Sequence, residues 1–539
     1  MTQKEKQWKV VSVAVPWLLC AAVLLLTIVL KVDYHMDEVW SYGLANHPGD
    51  IVMDFELNKT YDPREVYDDY LVADPEHRFD YANVWENQRN DNHPPLYYAL
   101  LHTVCSLFPG TFSKWYGGVL NIAFGLLMFL FVRRLILQLT GDRLLQFWLS
   151  IGFALCPGIL NAASFLRMYF PAMCWCTILA SLALSILEKA RERAAAEKKP
   201  SSMDTWPLYL SYALVSALGA LTHYYCTAFV ILLTAVLLLA LILYRQVVHA
   251  ELTLASVLVA ALCAYWIFPD MVHHVFAGDR GSESLQNLES EFGYPQRLRY
   301  FFGVFSGELF GGFLLPLLLV LAVLIAVALF LHIKQDYVPY LVLFVPVLGF
   351  YFLISKAAVY QTDRYVFPVL ALIWLLVFCL LLSLARGLID ACEKYFPQFS
   401  RKAAALTLAS VLCLCVLVPT LNGYRKAQWE YLYRHHTEYL ATAEDYTDYD
   451  CLCIYHARYQ VPTFYREMLH YKSVTFLWDG KVEGIRDLDI ADSDHVLVKV
   501  IRDDNDGTCL KHAREQFPQF TKSRDLFTFW AGTTTELLP

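Results

Sequence analysis

Long apolar runs separated by short polar stretches dominate the chain up to about residue 421. Most of them reach the roughly 17 to 25 residues that an α-helix needs to cross a bilayer. The pattern predicts a polytopic membrane protein with eleven transmembrane helices. The runs lie at residues 9–31, 114–133, 143–161, 163–187, 206–222, 224–244, 250–268, 309–332, 337–355, 365–386 and 402–421.

Two apolar segments bear on this count. The first run exceeds the roughly 7 to 15 residues of a signal-peptide core and no small-x-small cleavage site follows it, so it is interpreted as a retained helix. The segment 94–109 is only about fifteen residues long, below the usual minimum for a span. It is interpreted as a juxtamembrane or re-entrant helix.

Basic residues fall in alternate loops, which predicts the orientation because Lys and Arg accumulate on the cytoplasmic side. The N-terminus is therefore expected in the cytoplasm, and an odd number of spans puts the C-terminus outside. Segment 32–113 then faces outward, with fifteen Asp or Glu against four Lys or Arg. The cytoplasmic basic residues are Lys4, Lys6, Lys9, Arg133, Arg134, Lys189, Arg191, Arg193, Lys198, Lys199, Arg245, Lys334, Arg386, Lys394, Arg401 and Lys402.

Composition supports the membrane assignment, since 57% of the 539 residues are hydrophobic and 17% are charged. Most of the 14 cysteines lie in apolar runs, where Cys behaves as a small hydrophobe rather than as part of a disulfide framework. The net charge of -8 gives no basis for nucleic-acid binding. The expected location is a plasma membrane, most simply a bacterial one, with membrane lipids as neighbours.

The predicted domains are a transmembrane domain over 1–424 and an external α/β domain over 425–539. Within the first, 32–113 forms a large external loop with interfacial helices, and 269–308 forms a mobile external loop. In the second, β-rich runs alternate with helical candidates at 460–471 and 507–516. The predicted strands are Cys451–Tyr455, Val474–Trp478, His495–Ile501 and Leu526–Trp530.

The pair Asp37-Glu38 lies a few residues beyond the first span. Carboxylates in an external, partly desolvated cavity can act as a general base or bind a divalent cation such as Mg²⁺ or Mn²⁺. A solvated loop would carry the same pair, because exposed acids are ordinary.

Four further motifs lie at predicted outer junctions, and each also has a structural interpretation. His93 precedes a double proline, which equally begins an interfacial helix. Arg167 and Arg364 could bind a phosphate through paired hydrogen bonds or could extend to lipid headgroups. His223 lies in a tight turn, where a lone histidine is usually a satisfied structural group.

Taken together, these segments resemble the GT-C class of membrane glycosyltransferases, in particular the protein O-mannosyltransferase-like group that includes the lipid A aminoarabinose transferases. The resemblance covers residues 9 to 421 and depends on the order of the motifs and their shared external placement. The matching segments are Asp37-Glu38, His93-Pro94-Pro95-Leu96-Tyr97-Tyr98, Arg167-Met168-Tyr169, Thr222-His223-Tyr224, and Arg364-Tyr365 with Pro368.

The resemblance implies a sugar donor on a polyprenyl phosphate, and a glycan, lipid or protein acceptor. Asp37 would be the base or would orient the acceptor, with Glu38 as its partner. His93, Arg167 and Arg364 would bind the donor phosphate. Residues expected to line the pocket are Tyr97, Tyr169, His223, Tyr224 and Tyr365.

Two other classes of function remain open at this stage. A flippase or transporter of lipid-linked sugars would have charged residues near the bilayer midplane and interrupted, repeated helices. A noncatalytic protein of cell-envelope assembly would use the acidic loop and the C-terminal tail for binding.

Overall fold

The computed structural model describes residues 3–195, 205–395, 401–426, 429–501, 508–529 and 532–539. Its α-helices are α1 (Gln3–Leu30), α2 (Met36–Asn46), α3 (Pro63–Leu71), α4 (Tyr81–Asn90), α5 (Leu96–Leu107), α6 (Lys114–Thr140), α7 (Arg143–Ala154), α8 (Pro157–Ser164), α9 (Tyr169–Ala195), α10 (Trp206–Thr222), α11 (Tyr224–Leu243), α12 (Val247–Ile267), α13 (Met271–Phe276), α14 (Asp279–Glu289), α15 (Tyr294–Val304), α16 (Leu314–Phe330), α17 (Val338–Ala357), α18 (Phe367–Tyr395), α19 (Arg401–Lys426), α20 (Thr437–Ala443), α21 (Tyr465–Met468) and α22 (Thr508–Glu515). Its strands are β1 (Thr60–Tyr61), β2 (Asp450–Tyr455), β3 (Ser473–Trp478), β4 (Val496–Ile501), β5 (Lys522–Phe529) and β6 (Gly532–Leu538).

The chain forms two compact units. The helical unit comprises residues 1–29, 92–97 and 118–429, and the mixed unit comprises 30–91, 98–117 and 430–539. Residue 425, the predicted domain boundary, lies close to the last of these divisions. Most of the predicted first external loop groups with the C-terminal residues, and its strand β1 pairs with β3.

The helical unit is that of a multi-pass membrane protein. Among the described residues, seven helices are long and apolar enough to cross a membrane, or nine if two bent pairs each form one span. The remaining predicted spans, 206–222 and 402–421, coincide with α10 and α19. The count of eleven stays a prediction. Helix α5 has only 12 residues, as expected for a segment too short to be a span.

Two helices form the centre of the helical unit. In α9 every residue from Tyr169 to Leu187 is buried, and α18 is buried over most of its length. A helix that is apolar on all sides lies in lipid or among other helices, and the complete burial of this part of α9 places it among other helices. The Trp374 ring of α18 packs against Phe153 of α7, with ring centroids 5.5 Å apart.

The segment 269–308, predicted to be a mobile external loop, is helical over most of its length. The segment contains α13, α14 and α15, and the last continues to Leu309 before a bend of 86° into α16. The glycines that suggested a loop stand at helix starts instead. Gly278 precedes α14, and Gly293 precedes α15 with φ of 71°, a conformation that favours glycine.

The mixed unit contains a six-stranded sheet in the order β1-β3-β2-β4-β6-β5. Strands β3, β2 and β4 are parallel, and the other pairings are antiparallel. The first three predicted strands are confirmed as β2, β3 and β4. The fourth lies within β5, which begins earlier, and Trp530 is outside the described residues, as are Lys198 and Lys199 of the basic loop. The predicted helices correspond to α21, with the turns before it, and to α22.

Candidate functional site

Asp37 lies in the first turn of α2, where the exposed backbone N–H groups and the helix dipole favour a carboxylate. His35 is the N-cap, and its Nδ1 accepts a hydrogen bond from the Asp37 N–H at 3.0 Å. Glu38 completes a capping box, because its Oε2 accepts from the His35 N–H at 2.5 Å. The local sequence therefore holds Asp37 in a defined orientation.

Glu38 also forms a buried ion pair with Lys31, at 2.9 Å between Oε2 and Nζ. The two side chains are 0% and 1% exposed, and Lys31 Nζ donates a second hydrogen bond to the Tyr431 carbonyl at 2.5 Å. Burial lowers the pKa of Lys31, and the charge of Glu38 partly offsets this effect. Glu38 thus positions the turn, whereas the Asp37 side chain remains 8% exposed.

Arg167 lies in the break between α8 and α9 of the helical unit and is 3% exposed. Asn121 of α6 fixes the preceding backbone, donating to the carbonyls of Ala163 at 2.9 Å and Phe165 at 2.8 Å. The Phe165 carbonyl also accepts from the Arg167 N–H. The loop shape that presents Arg167 is therefore set by a buried amide.

The guanidinium of Arg167 lies beside His93, with 3.4 Å between Nη2 and Nε2. Its Nε contacts the Met168 sulfur at 3.3 Å. The His93 ring in turn lies 6.3 Å from the His223 ring, centroid to centroid. The structure therefore brings two of the predicted phosphate-binding residues together with a predicted pocket residue.

His223 separates α10 from α11 with extended backbone (φ -160°, ψ 137°). Its Nδ1 accepts the Tyr225 N–H at 3.0 Å, so His223 caps α11, as the structural interpretation of a lone histidine expects. Burial, followed by electrostatic interaction with the neighbouring His93 and Arg167, lowers the pKa of His223 well below its usual value. The imidazole is therefore neutral near pH 7.

Aromatic rings connect His223 to the second arginine. The His223 ring lies 4.8 Å from Tyr169 and 4.5 Å from Tyr225, and Tyr225 lies 5.5 Å from Tyr365. Arg364 precedes Tyr365 on a short 3₁₀ turn, Asp363–Val366, and its Cζ lies 6.0 Å from the centroid of the Tyr365 ring. We call this group the arginine–histidine cluster; its members are His93, Arg167, Tyr169, His223, Tyr225, Arg364 and Tyr365.

Two predicted pocket residues lie differently. Tyr224 hydrogen-bonds through its hydroxyl to His274 Nδ1 of α13, at 3.0 Å. Tyr97 is buried near the start of α5. Asp37 and Glu38 belong to the mixed unit, and the arginine–histidine cluster belongs to the helical unit.

The sequence analysis did not predict three residues of these sites, namely Tyr225, Asn121 and Lys31. Tyr225 adjoins a recognised motif, and Asn121 is a polar residue within an apolar run, which is a usable signal because such residues are costly in a membrane helix. Lys31 had the signal of a lysine at the end of the first apolar run, seven residues before Glu38.

The described residues contain no group of three or more His, Cys, Asp or Glu side chains arranged to hold a metal ion. A divalent cation at Asp37 and Glu38 would also compete with the ammonium of Lys31 for the Glu38 carboxylate. Glu38 is therefore a poor ligand for Mg²⁺ or Mn²⁺ in this arrangement, and a cation at Asp37 would take its other ligands from water or a substrate phosphate.

No protein-family model and no curated protein matches the chain. Among solved structures, ArnT from Cupriavidus metallidurans bound to undecaprenyl phosphate is similar over 98% of both chains, with a TM-score of 0.51 and 11% identity. ArnT is a lipid A aminoarabinose transferase with the GT-C fold. The chain has the GT-C fold. The fold implied by the resemblance of its motifs is therefore confirmed.

A second structure is less similar. The archaeal oligosaccharyltransferase AglB from Archaeoglobus fulgidus, in complex with an inhibitory peptide and a dolichol-phosphate, matches 87% of this chain and 64% of its own. The TM-score is 0.47 at 11% identity, and the GT-C assignment does not depend on it.

Proposed function

We propose that this GT-C protein is a glycosyltransferase that takes a sugar from a polyprenyl-phosphate carrier and transfers it to an acceptor hydroxyl or amine. In this proposal the reaction takes place on the outer face of a membrane that the chain crosses eleven times, with the N-terminus in the cytoplasm and the mixed unit outside. The acceptor is a glycan, a lipid or a protein.

The observation that carries the proposal is the arginine–histidine cluster. Arg167 and Arg364 lie at opposite ends of one continuous set of ring contacts, at helix breaks of an apolar bundle. Arginine stays charged and forms paired hydrogen bonds to phosphate oxygens. An apolar bundle with cations at its helix breaks suits a ligand that combines a phosphate with a long hydrocarbon chain, and the similar ArnT structure contains undecaprenyl phosphate.

In the proposed reaction the acceptor oxygen or nitrogen attacks the anomeric carbon while the bond from that carbon to the phosphate oxygen breaks. The carrier phosphate leaves with the electron pair, and Arg167 and Arg364 stabilise the charge that develops on it. Asp37 accepts the proton from the acceptor. Attack from the face opposite the leaving group inverts the anomeric centre. No metal takes part, in keeping with the pairing of Glu38 with Lys31.

The donor side is tested by binding of undecaprenyl phosphate to the purified full-length protein in lipid nanodiscs, followed by native mass spectrometry. We expect Arg167→Gln and Arg364→Gln each to weaken binding about tenfold or more, since a charge-assisted hydrogen bond contributes roughly 1.5–3 kcal/mol. Arg280→Gln is the matched control, because Arg280 lies on α14 in an exposed pair with Glu283. Equal affinity in all three variants would contradict the proposal.

The transfer step is tested by mass spectrometry of cell-envelope glycans and lipids with the gene deleted, restored, or restored as Asp37→Asn. We expect one glycosylated product to disappear on deletion and to remain absent with Asp37→Asn. A product that returns in full with Asp37→Asn would exclude Asp37 as the base and would favour a noncatalytic role.

One observation favours a transporter of lipid-linked sugars as the second candidate. Two pairs of helices are bent, α7 with α8 by 49° and α15 with α16 by 86°, and interrupted helices are typical of transporter sites. A transporter would move the intact lipid-linked sugar across proteoliposomes without forming a new glycosidic bond. The same mass-spectrometric product analysis separates the two functions.

A further inference from the structure

The mixed unit contains a cavity of about 180 Å³ that none of the predicted site residues lines. Its walls come from the segment after the first helix, from residues around α20 and α21, and from the end of β5. The volume is below the roughly 300 to 1,000 Å³ of sites for drug-sized ligands. A single ring with its substituents is therefore the size of group that fits.

Aromatic side chains form much of the cavity wall. Tyr439 and Phe529 lie 4.6 Å apart by ring centroid, and the His436 ring lies 4.9 Å from both Phe529 and Tyr433. Phe464 is also part of the lining. Rings in mutual contact are held in place, so they offer preformed apolar surfaces at little entropic cost.

The lining contains three carboxylates, those of Asp33, Glu430 and Glu467, and one guanidinium, that of Arg466. Asp33 pairs with His436 at 2.7 Å between Oδ2 and Nδ1, and Glu467 pairs with the buried Lys499 at 2.8 Å. Arg466 adds a positive charge and donates to the Val32 carbonyl at 3.1 Å. A lining with more carboxylates than cations disfavours a phosphate, and its carboxylate oxygens offer hydrogen-bond acceptors to the hydroxyls of a neutral ligand.

One lining atom needs a partner. The Thr463 hydroxyl is buried and has no hydrogen-bond partner among the residues that the structure describes. Leaving a buried hydroxyl unsatisfied is costly, so a ligand hydroxyl in the cavity would stabilise it.

We propose that this cavity binds one sugar ring of a glycan acceptor. The apolar C–H face of the ring packs on the aromatic wall, and its hydroxyls bond to Thr463, Arg466 and the carboxylates. Met36 is part of the lining and is followed in the chain by Asp37, so the bound ring lies beside the turn that carries the proposed base. The inference depends on the proposed function and narrows its acceptor to a carbohydrate.

The test uses the full-length protein in detergent on an array of neutral, anionic and choline-bearing glycans. We expect the wild type to retain a subset of neutral glycans. Thr463→Val removes the hydroxyl at nearly constant shape, and Phe529→Leu removes a ring; each should lower retention about tenfold. Their matched controls are Thr442→Val and Phe520→Leu, because Thr442 lies outside the cavity lining and Phe520 packs against a different core of the same unit.

Three results would overturn the inference: no neutral glycan retained, retention only of anionic or choline-bearing glycans, or equal retention by cavity and control variants. The array contains no sugar donor, so its outcome does not depend on transfer. Loss of the proposed activity with intact glycan retention would refute the transferase and leave the cavity assignment standing. Transfer that persists at the wild-type rate in Thr463→Val and Phe529→Leu would refute the acceptor site alone.

Discussion

Lys31 and Glu38 form an ion pair at 2.9 Å in which both side chains are almost fully buried. The pair joins the residue after the first long helix to the turn that carries Asp37. Glu38 therefore stabilises the fold through its pair with Lys31, and Asp37 is the candidate base.

We expect Lys31→Met to destabilise the protein by about 3–5 kcal/mol, because it leaves the Glu38 carboxylate buried without its partner. The measurement is the unfolding temperature of the full-length protein in detergent. Lys59→Met is the matched control, since Lys59 and Glu56 form an exposed pair of nearly the same length, 3.0 Å. That change should leave the unfolding temperature nearly unchanged, because solvent screens exposed ion pairs. Equal effects of the two substitutions would contradict a stabilising role for the Lys31 pair.

Asn121→Ala should weaken undecaprenyl phosphate binding about tenfold without removing any residue of the arginine–histidine cluster. The substitution deletes the amide that holds the Ala163 and Phe165 carbonyls, and loss of a buried hydrogen bond costs roughly 1–3 kcal/mol. Asn422→Ala removes a comparable bond to the Gly311 carbonyl elsewhere in the helical unit. Native mass spectrometry of both variants checks the expectation, which fails if they bind the lipid equally well.

The neutral state of His223 predicts a pH dependence of stability. Because folding lowers the pKa of His223, the unfolded chain takes up a proton first as the pH falls below about 6.5, and this histidine then destabilises the folded state. His223→Asn should retain the helix cap, since asparagine is a favoured N-cap, and should remove this contribution. Unfolding temperatures measured from pH 8 to 5 should therefore fall more steeply for the wild type. If the unfolding temperatures of the wild type and His223→Asn fall in parallel with pH, His223 does not contribute to the pH dependence of stability.

Removal of divalent cations should leave transfer unchanged. Glu38 is already paired with Lys31, and the described residues offer no cluster of ligands for Mg²⁺ or Mn²⁺. The measurement is formation of the glycosylated product by purified protein with excess EDTA. A loss of activity that Mg²⁺ or Mn²⁺ restores would show that Asp37 binds a cation.

Apolar runs predict the membrane helices well because the bilayer requires a length of apolar chain that is readable without knowledge of partners. The helices of segment 269–308 were not predicted, because they are short and polar and because the glycines of the segment suggested a loop. Strands β2, β3 and β4 were predictable as buried, β-rich runs. Strand β1 was not, since two residues carry no pattern of their own and pair only through a partner far along the chain.

The candidate site was predictable to a similar degree. Arg167, His93 and His223 stood out as charged or polar residues at helix ends, and the structure brings them together. The pairing of Lys31 with Glu38 was not predictable, because burial decides it and no single position reveals burial. The cavity beside Met36 was not predictable either, because its walls come from segments several hundred residues apart.

A second buried ion pair, between Lys499 and Glu467, should stabilise the mixed unit. Both side chains are 0% exposed, and Glu467 also accepts hydrogen bonds from Tyr471 at 2.8 Å and Thr534 at 2.5 Å. Burial alone would raise the pKa of Glu467, but Lys499 and hydrogen bonds from Thr534 and Tyr439 outweigh it and lower the pKa below its usual 4.5. Its stabilising contribution is therefore present above about pH 4.5 and is lost as the pH falls through the folded-state value.

Lys499→Met should cost about 3–5 kcal/mol near pH 7, because it leaves the Glu467 carboxylate buried without its cation. The difference from the wild type should shrink below about pH 4.5, where protonation begins to remove the Glu467 charge in either protein. Lys472→Met provides the control, since the ammonium of Lys472 is well exposed in its pair with Asp450. Unfolding temperatures of the three proteins between pH 7 and 4 make the comparison. If the unfolding temperature of Lys499→Met stays below that of the wild type by a constant amount down to pH 4, the cause is lost packing and not the loss of charge.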